Sequence, residues 1–322
     1  MPFLSIDRPR SRQCAETVLL VRPAAFAYNQ QTASSNSFQQ PREEFGIAAR
    51  AAAELERVGA AIASAGVTVC VAEDTAEPIK PDAVFPNNWI SWHRDGTTVL
   101  YPMLAANRRA ERRADLIELV EQQTNFARRR LLDLSSYEAQ GRFLEGTGSL
   151  VLDHVRRLAF ACRSPRTDAS LVQEWARLMD FEPIVFDAHT ARGVAIYHTN
   201  VMLAIGSRSV VVCAEAIAAA DRARVLALLE GEGRQVIPIR HSAMRAFGAN
   251  VLELMAARED GGAASMLVIS QTAASALRAD ADSWARLTGS VERVLEVAVP
   301  TIEQIGGGGV RCMLAEVPSV VA

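Results

Sequence analysis

One order of predicted elements recurs along the chain: a strand, a turn, a second strand, an amphipathic helix and a third strand. The strands are β-branched, apolar runs bounded by turn residues, and the helices place apolar residues three and four positions apart. A repeat of this kind is the first feature to establish, because it decides the whole architecture. The recurrence predicts an α/β fold of five ββαβ modules closed around a central axis.

The five modules differ in how clearly they show this order. The first is the weakest, since only TVLLVRP and VTVCVAE read as strands there. A Gly-rich strand that carries Cys312 is predicted after the fifth module. Because no Pro- or Ser-rich linker separates the modules, the sequence predicts one domain over residues 1–322. The predicted helices cover residues 42–65, 107–123, 167–179, 214–230 and 274–287.

Composition excludes several classes of protein. The net charge is -3 and the pI is about 6.0, which leaves no basic footprint for nucleic acid. No apolar run is long enough to span a membrane, and the N-terminus shows no signal-peptide stretch, so we expect a cytoplasmic protein. The 5 cysteines are scattered without CxxC pairs, and the 5 histidines lack metal-ligand spacing. We therefore expect neither a disulfide framework nor a metal site.

The segment IGGGGVRC near the C-terminus combines a costly backbone with a reactive side chain. Four glycines, 306–309, lose much conformational entropy on folding, which a compact protein tolerates where the backbone must pass close to something. Cys312 follows, and its thiolate is a strong nucleophile near neutral pH. The alternative interpretation is a flexible turn before a strand with a buried, structural cysteine.

Two further segments place an ionisable residue inside an apolar run. Glu145 lies in LEGTG, and a buried carboxylate needs a partner, either at a catalytic site or in an ion pair with Arg142. His198 lies in AIYHTNVMLAIG, where it is either a general acid/base or a hydrogen-bonded core residue. His154 is the weaker rival for the catalytic role.

A third polar segment is FPNNW, in which Asn87 and Asn88 follow a proline. By composition this is a turn, and Asp82 either caps it or faces the site. Asn88, Glu145 and His198 occupy similar places in the first strands of modules two, three and four. In a closed ring, equivalent strand ends converge on the axis, so these residues and Cys312 can form one site.

The motifs GGGGVRC, LEGTG, YHTN and FPNNW, in this order, resemble the guanidino-group-modifying superfamily, which includes arginine deiminases, dimethylarginine hydrolases and amidinotransferases. The chain looks most similar to the citrulline-utilisation hydrolase branch, and VLLVRPAAFAYNQQTASSNSFQ and FGANVLEL add to that similarity. The resemblance covers nearly the whole chain. It implies a five-bladed α/β propeller (the pentein fold), in agreement with the five modules.

The resemblance also implies roles for individual residues. Cys312 corresponds to the family's nucleophile, His198 to its catalytic histidine and Glu145 to its glutamate. The chain departs from the family where Gly146-Thr147-Gly148 replaces Gly-Gly-Asp. It departs again at Asn88 and Asn200, where the deiminases usually place aspartates.

The two asparagines bear on the substrate. Carboxylates bind a guanidinium in bidentate pairs, whereas an amide both donates and accepts, as a neutral ureido group does. Asn88 and Asn200 therefore favour hydrolysis of citrulline to ornithine, ammonia and carbon dioxide through a Cys312 adduct. We expect a protonated His198 to lower the pKa of the thiol and to act as general acid/base, with Glu145 orienting it and no cofactor.

Alternatives to this function stay open. The same chemistry could act on a guanidine, as in a deiminase, a dihydrolase or an amidinotransferase, and the fold could also serve as a catalytically silent binding module. For the amino-acid end of a small-molecule substrate, the candidate ligand is Arg142, while Asp82 is a candidate substrate-binding residue that could serve a cation. The polar loop over residues 28–40 is the candidate cover. The sequence does not show the oligomeric state, although a homodimer would be unsurprising.

Overall fold

Five three-stranded sheets of identical topology form the framework of the protein, whose computed structural model describes residues 13–42 and 45–321. In each sheet the first strand pairs antiparallel with the second, and the second pairs parallel with the third. Parallel strands need a crossover connection, which the helix between the second and third strands supplies. The repeated α/β module predicted from the sequence is thereby confirmed.

Four sheets follow the chain in order, and the fifth joins its two ends. The strands are β1 (Thr17–Arg22), β2 (Thr68–Glu73), β3 (Ile90–Trp92), β4 (Thr97–Leu100), β5 (Arg130–Asp133), β6 (Val151–Asp153), β7 (Leu158–Cys162), β8 (Glu182–Phe186), β9 (Leu203–Ile205), β10 (Ser209–Val212), β11 (Gln235–Pro238), β12 (Leu252–Ala257), β13 (Ala263–Ser270), β14 (Arg293–Val297) and β15 (Ala315–Glu316).

The helices either cross over between parallel strands or form short turns. They are α1 (Gln30–Ala33), α2 (Ile47–Ser64), α3 (Ala114–Gln123), α4 (Gly146–Ser149), α5 (Ala169–Met179), α6 (Ala219–Leu229), α7 (His241–Arg245), α8 (Gln271–Arg278), α9 (Ala281–Gly289) and α10 (Val310–Met313). Among these described helices, none combines the length and the apolar character that crossing a membrane requires.

The C-terminal strand completes the first module. β15 pairs antiparallel with β1, placing Val18 opposite Glu316 and Leu19 opposite Ala315. β15 therefore occupies the first-strand position of the sheet that also contains β1 and β2. This explains why the sequence of the first module shows only two strands: its missing strand lies at the other end of the chain.

The first strands of the sheets face the centre of the molecule. Residues of β6, β9, β12 and β15 line one internal cavity of about 50 Å³, together with Gln13, His154 and Arg311. The side-chain amide of Gln13 donates to the carbonyl of Leu152 at 2.8 Å and so ties the N-terminal segment to β6. Strands from four modules meeting at one cavity are the arrangement that a ring around an axis requires.

Three of the predicted helices are interrupted. The helix predicted over 107–123 is a 3-10 turn, Ala106–Glu111, followed by α3. The one predicted over 214–230 begins with a separate 3-10 turn, Ala214–Ala216, and the one over 274–287 divides into α8 and α9. In the last case Asp280 caps α9 by accepting from the Ser283 N–H at 3.3 Å, which starts a new helix.

The remaining two predicted helices lie close to their expected bounds. α5 starts after Asp168, which accepts from the Leu171 N–H at 2.8 Å. α2 starts at Ile47 rather than 42, and residues 43 and 44 of that prediction lie outside the described part of the chain.

The Gly-rich segment is not the predicted strand. Gly306 ends a π-helical turn, and Gly307 has a left-handed backbone with φ 65°. A Cβ on Gly307 would lie 2.6 Å from the backbone nitrogen of Gln39, and one on Gly309 would lie 2.7 Å from Oδ1 of Asn250. The interpretation that these glycines permit close backbone approach is confirmed.

We expect Gly307→Ala to lower the free energy of unfolding more than Gly141→Ala. Both positions have a left-handed backbone, which costs a non-glycine residue about 1–2 kcal/mol, but Gly141 has open space around it, whereas Gly307 abuts Gln39. Urea unfolding of both variants measures the difference. Equal losses would show that the contact with Gln39 relaxes without cost.

Candidate active site

The polar motif residues lie on short helical turns that lead into first strands. Asn88 belongs to a 3-10 turn before β3, Glu145 immediately precedes α4, Asn200 lies in a 3-10 turn before β9, and Cys312 lies in α10 before β15. The sequence placed Glu145, Asn200 and Cys312 inside strands, which is wrong for these three, whereas the turn that composition predicted at FPNNW is confirmed. Since each turn enters a central strand, the structure still brings the four turns into contact.

Glu145 and His198 form a buried pair. Nε2 of His198 lies 2.9 Å from Oε2 of Glu145, and both side chains are at most 2% exposed. Nη1 of Arg166 donates to the same oxygen at 3.3 Å, while the backbone N–H of Leu104 donates to Oε1 at 3.1 Å. Burial alone would raise the pKa of Glu145, but Arg166 and His198 hold it well below its ordinary value.

The ionised carboxylate fixes the tautomer of His198. Burial lowers the pKa of His198 to about 4, although Glu145 opposes that shift. The imidazole is therefore neutral near pH 7. An ionised carboxylate only accepts hydrogen bonds, so the single ring proton lies on Nε2 and points at Glu145. Nδ1 is left as a proton acceptor.

Cys312 lies in contact with two amides. Nδ2 of Asn250 is 3.3 Å from the sulfur and Nδ2 of Asn200 is 3.7 Å from it, and the residue is 3% exposed. Burial raises the pKa of the Cys312 thiol, against the opposing effects of Asn250 and Arg311. The two pKa shifts favour a protonated thiol and a neutral imidazole in this state, and the expectation that a protonated His198 lowers the thiol pKa stays a prediction.

Asn250 is a site residue that the sequence did not single out. It donates to the carbonyl of Asn200 at 3.1 Å as well as contacting the thiol. It lies just before β12, the first strand of its sheet, and so matches the position of Asn88 and Asn200 in their modules. An asparagine recurring at equivalent places of the repeat was the signal that could have identified it.

Asn88 contacts an arginine, and the absence of a side chain at Gly148 leaves space for the Asn88 amide. Oδ1 of Asn88 accepts from Nη1 of Arg108 at 2.9 Å. A Cβ at position 148 would lie 2.6 Å from Nδ2 of Asn88 and 2.7 Å from Nδ1 of His198. A side chain at position 148 would thus occupy the space between the amide and the imidazole.

Asp82 is a buried carboxylate with one engaged oxygen. Oδ2 accepts from Nδ2 of Asn29 at 2.8 Å and from Oγ1 of Thr32 at 3.4 Å, and it lies 3.7 Å from Nε of Arg108. Oδ1 is buried without a hydrogen-bond partner among the described residues. Burial raises the pKa of Asp82 despite Arg108 and Asn29.

Arg142 is not brought to the site. It lies at the surface, 3.5 Å from Asp168 and 3.7 Å from Glu174, so it is not the ion-pair partner of Glu145 either. Two other arginines take that place. Arg166 pairs with Glu145, and Arg108 lies 3.8 Å from it.

These two arginines are held differently. Arg108 makes two hydrogen bonds to Glu111, at 2.9 and 2.8 Å, while Arg166 donates to Ser35 and to the carbonyl of Thr32. Nothing in the sequence separates Arg108 from the basic run around it, or Arg166 from other loop arginines, since their partners are distant along the chain.

Residues 28–40 cover the site. Apart from the contacts of Thr32 and Ser35 with Arg166, Nδ2 of Asn36 donates to the carbonyl of Gly306 at 3.3 Å. The ring of Phe38 lies 5.9 Å from that of Tyr197 and 5.5 Å from that of Phe247. Every catalytic candidate is at most 3% exposed, and this segment contacts both Arg166 and the Gly-rich turn before Cys312, so it is the candidate for the part that moves to admit a substrate.

A family profile described as "N,N dimethylarginine dimethylhydrolase, eukaryotic" matches residues 22–319. No curated protein sequence gives a significant match.

Solved structures with a similar fold include those of ArgZ, of AgrE and of a dimethylarginine dimethylaminohydrolase. The N-terminal domain of ArgZ, an arginine dihydrolase from cyanobacteria, was solved with bound substrate; its TM-score is 0.71 at 14% identity over 95% of this chain and 99% of that chain. AgrE with L-arginine gives 0.71 at 17% identity over 95% of this chain and 40% of that chain. The dimethylaminohydrolase adduct with S-methyl-L-thiocitrulline gives 0.63 at 16% identity over 94% and 99%.

Alkylation of Cys312 should speed up about tenfold per pH unit between about pH 6 and pH 9, because burial holds the thiol pKa above its ordinary value and only the thiolate reacts. The group is protonated below its pKa, so the rate falls as the pH falls. Iodoacetamide labelling followed by peptide mass analysis measures it. A pH-independent rate across this range would instead indicate a thiolate–imidazolium pair.

His198→Ala should reduce turnover by about 10²–10⁴-fold, the typical contribution of a general acid/base. His154→Ala should reduce turnover far less. His198 is buried and His154 is half-buried, and His154 contacts the rings of His93 and Phe181 rather than the Glu145 carboxylate. Steady-state kinetics of both variants compares them. A larger loss for His154→Ala would move the acid/base role to that residue.

Proposed function

Since the chain belongs to the N,N dimethylarginine dimethylhydrolase family, within the guanidino-group-modifying superfamily, we propose that it hydrolyses citrulline to ornithine, ammonia and carbon dioxide through a covalent adduct on Cys312. The observation that supports citrulline is the pair of amides on the thiol: Asn250 and Asn200 lie 3.3 and 3.7 Å from the sulfur.

The head group of the substrate must lie beside the thiol, where these amides are the nearest polar groups. A ureido group offers one carbonyl oxygen and N–H donors, which amides complement in both directions. A guanidinium is a cation, and burying it without a directly paired carboxylate is expensive. The oxygen of Glu145 nearest the site is already shared by His198 and Arg166.

The amino-acid end finds complementary charges beyond the thiol. Oδ1 of Asp82 is buried and unpartnered, so it can accept from an α-ammonium group. Arg166 and Arg108 present buried guanidinium groups that can bind an α-carboxylate. Of the two, Arg166 is the better candidate, because its hydrogen bonds to Ser35 and Thr32 would be released when the covering segment moves. These residues replace Arg142 in the role predicted from the sequence.

The reaction follows from the protonation states. Cys312 transfers its proton to Nδ1 of His198 as the sulfur attacks the ureido carbon, and the resulting imidazolium is stabilised by Glu145. His198 then protonates the δ-nitrogen of ornithine, and that C–N bond breaks to leave an S-carbamoyl adduct. Water, deprotonated by His198, attacks the adduct; the thiol is restored, and the released carbamic acid decomposes to ammonia and carbon dioxide.

The same machinery could act on arginine or a methylated arginine, and the family match favours this as the second candidate. Asp82 and Glu145 are the carboxylates available to a cation in that case. The two candidates differ in the head group alone, so they share Cys312, His198 and Glu145.

A product assay on citrulline, arginine, agmatine, dimethylarginine and succinylarginine distinguishes the candidates. We expect ornithine and ammonia from citrulline in preference to turnover of any guanidine. Acid quench during turnover should show a carbamoyl-sized mass increase on the Cys312 peptide. Turnover of arginine with citrulline ignored would overturn the citrulline proposal, and no turnover of any compound would favour the silent-propeller alternative.

Asn88→Asp combined with Asn200→Asp should shift the preference toward arginine. Arg108 already donates to Oδ1 of Asn88, so an acid at position 88 would be neutralised locally. We therefore expect Asn200→Asp alone to carry most of the shift, and Asn88→Asp alone to carry little. An unchanged ratio of kcat/KM values in the double variant would contradict this reading of the asparagines.

A further inference from the structure

Outside the active site, Cys213, Glu215 and His241 form a compact cluster of side chains able to bind a metal. Their ligand atoms all lie within 4.8 Å of one another, and the sulfur of Cys213 is 3.9 Å from Nδ1 of His241. Among the described residues, no other group of three or more metal-binding side chains has its ligand atoms this close together. We propose that Cys213, Glu215 and His241 bind Zn²⁺.

The fold holds two of these ligands in fixed positions. Cys213 directly follows β10 and His241 begins α7 shortly after β11, and these strands are parallel neighbours in one sheet. The N–H of Cys213 donates to the carbonyl of Met202 at 2.9 Å, which fixes the backbone at the ligand. The carboxyl ends of parallel strands lie at the same edge of a sheet. Cys213 and His241 are therefore neighbours in space although they are far apart in the sequence.

The third ligand, Glu215, has an exposed carboxylate that already points toward His241. Glu215 lies in the 3-10 turn Ala214–Ala216, and Oε1 accepts a hydrogen bond from the backbone N–H of His241. Glu215 is exposed, so its carboxylate can approach the other two ligands without disturbing the core.

The donor set and its spacing suit zinc. Thiolate, imidazole and carboxylate are the three ligand types that Zn²⁺ takes in proteins. Bond lengths of about 2.0–2.3 Å in a tetrahedron place the ligand atoms about 3.3–3.6 Å apart. Because the atoms lie within 4.8 Å of one another, the most distant pair must approach by about 1.5 Å at most. Three protein ligands leave the fourth position for water, and the thiol proton passes to solvent on binding.

The site is accessible and connects to the segment over the active site. His241 lines a surface cavity of about 380 Å³, which also contacts Ser37 and Phe38. At the other end of α7, Nη1 of Arg245 donates to the carbonyl of Ser37 at 2.8 Å, and its guanidinium lies 5.1 Å from the centre of the Phe38 ring. A metal at His241 would therefore fix the helix that contacts this segment.

Cobalt binding to the Cys312→Ala protein tests the proposal, because this background removes the active-site thiol as a ligand. We expect one equivalent of Co²⁺ to bind with a thiolate-to-metal charge-transfer band, and Zn²⁺ to displace it. Cys213→Ser in that background should abolish the band, while the matched control Cys70→Ser, another buried cysteine, should retain it.

The two exposed or half-buried ligands provide variants that leave the core intact. Glu215→Gln and His241→Gln should each weaken Co²⁺ binding at least about tenfold. Zn²⁺ should also raise the thermal unfolding midpoint of the Cys312→Ala protein but not of its Cys213→Ser derivative. A band that survives Cys213→Ser, or binding unchanged by both Gln variants, would overturn the proposal, as would the absence of stoichiometric binding.

Discussion

The buried carboxylate of Glu145 is the constraint on which the rest of the site depends. Removing a carboxylate from water costs several kcal/mol, which only close partners offset. Arg166, His198 and the N–H of Leu104 supply them from different parts of the chain. The same charge that ties these segments together also places the ring proton of His198 on Nε2. The same electrostatic arrangement thus stabilises the fold and prepares the proposed catalytic base.

Closure of the ring positions Cys312, the proposed nucleophile. β15 completes the sheet of β1 and β2, and the turn that carries Cys312 enters β15 just as the turns with Asn88 and Asn200 enter their own first strands. The glycines before Cys312 let the backbone pass against Gln39 and Asn250. The thiol therefore reaches the axis because the chain's two ends share a sheet.

Local periodicity was sufficient to predict the repeat, since strand alternation and helix spacing are properties of neighbouring residues. It failed where a polar interruption ends a strand: the turns around Glu145 and His198 depend on partners from other modules. Arg142 was chosen because it is close to Glu145 in the sequence. Ion pairs depend on distance in the folded structure, where Arg166 from the next loop pairs with Glu145 instead. Asn250 was missed because its role appears only when the repeats are superimposed.

The neutral state of the thiol and of His198 has a consequence for activation. A cationic substrate beside Cys312 would stabilise the thiolate directly, because opposite charges attract strongly in a buried site. A neutral ureido group gives no such help, so the proton must move to His198 as the sulfur attacks. The burial that lowers the pKa of His198 opposes this transfer, and Glu145 favours it. With citrulline, therefore, the Glu145–His198 contact controls nucleophile activation as well as departure of the amine.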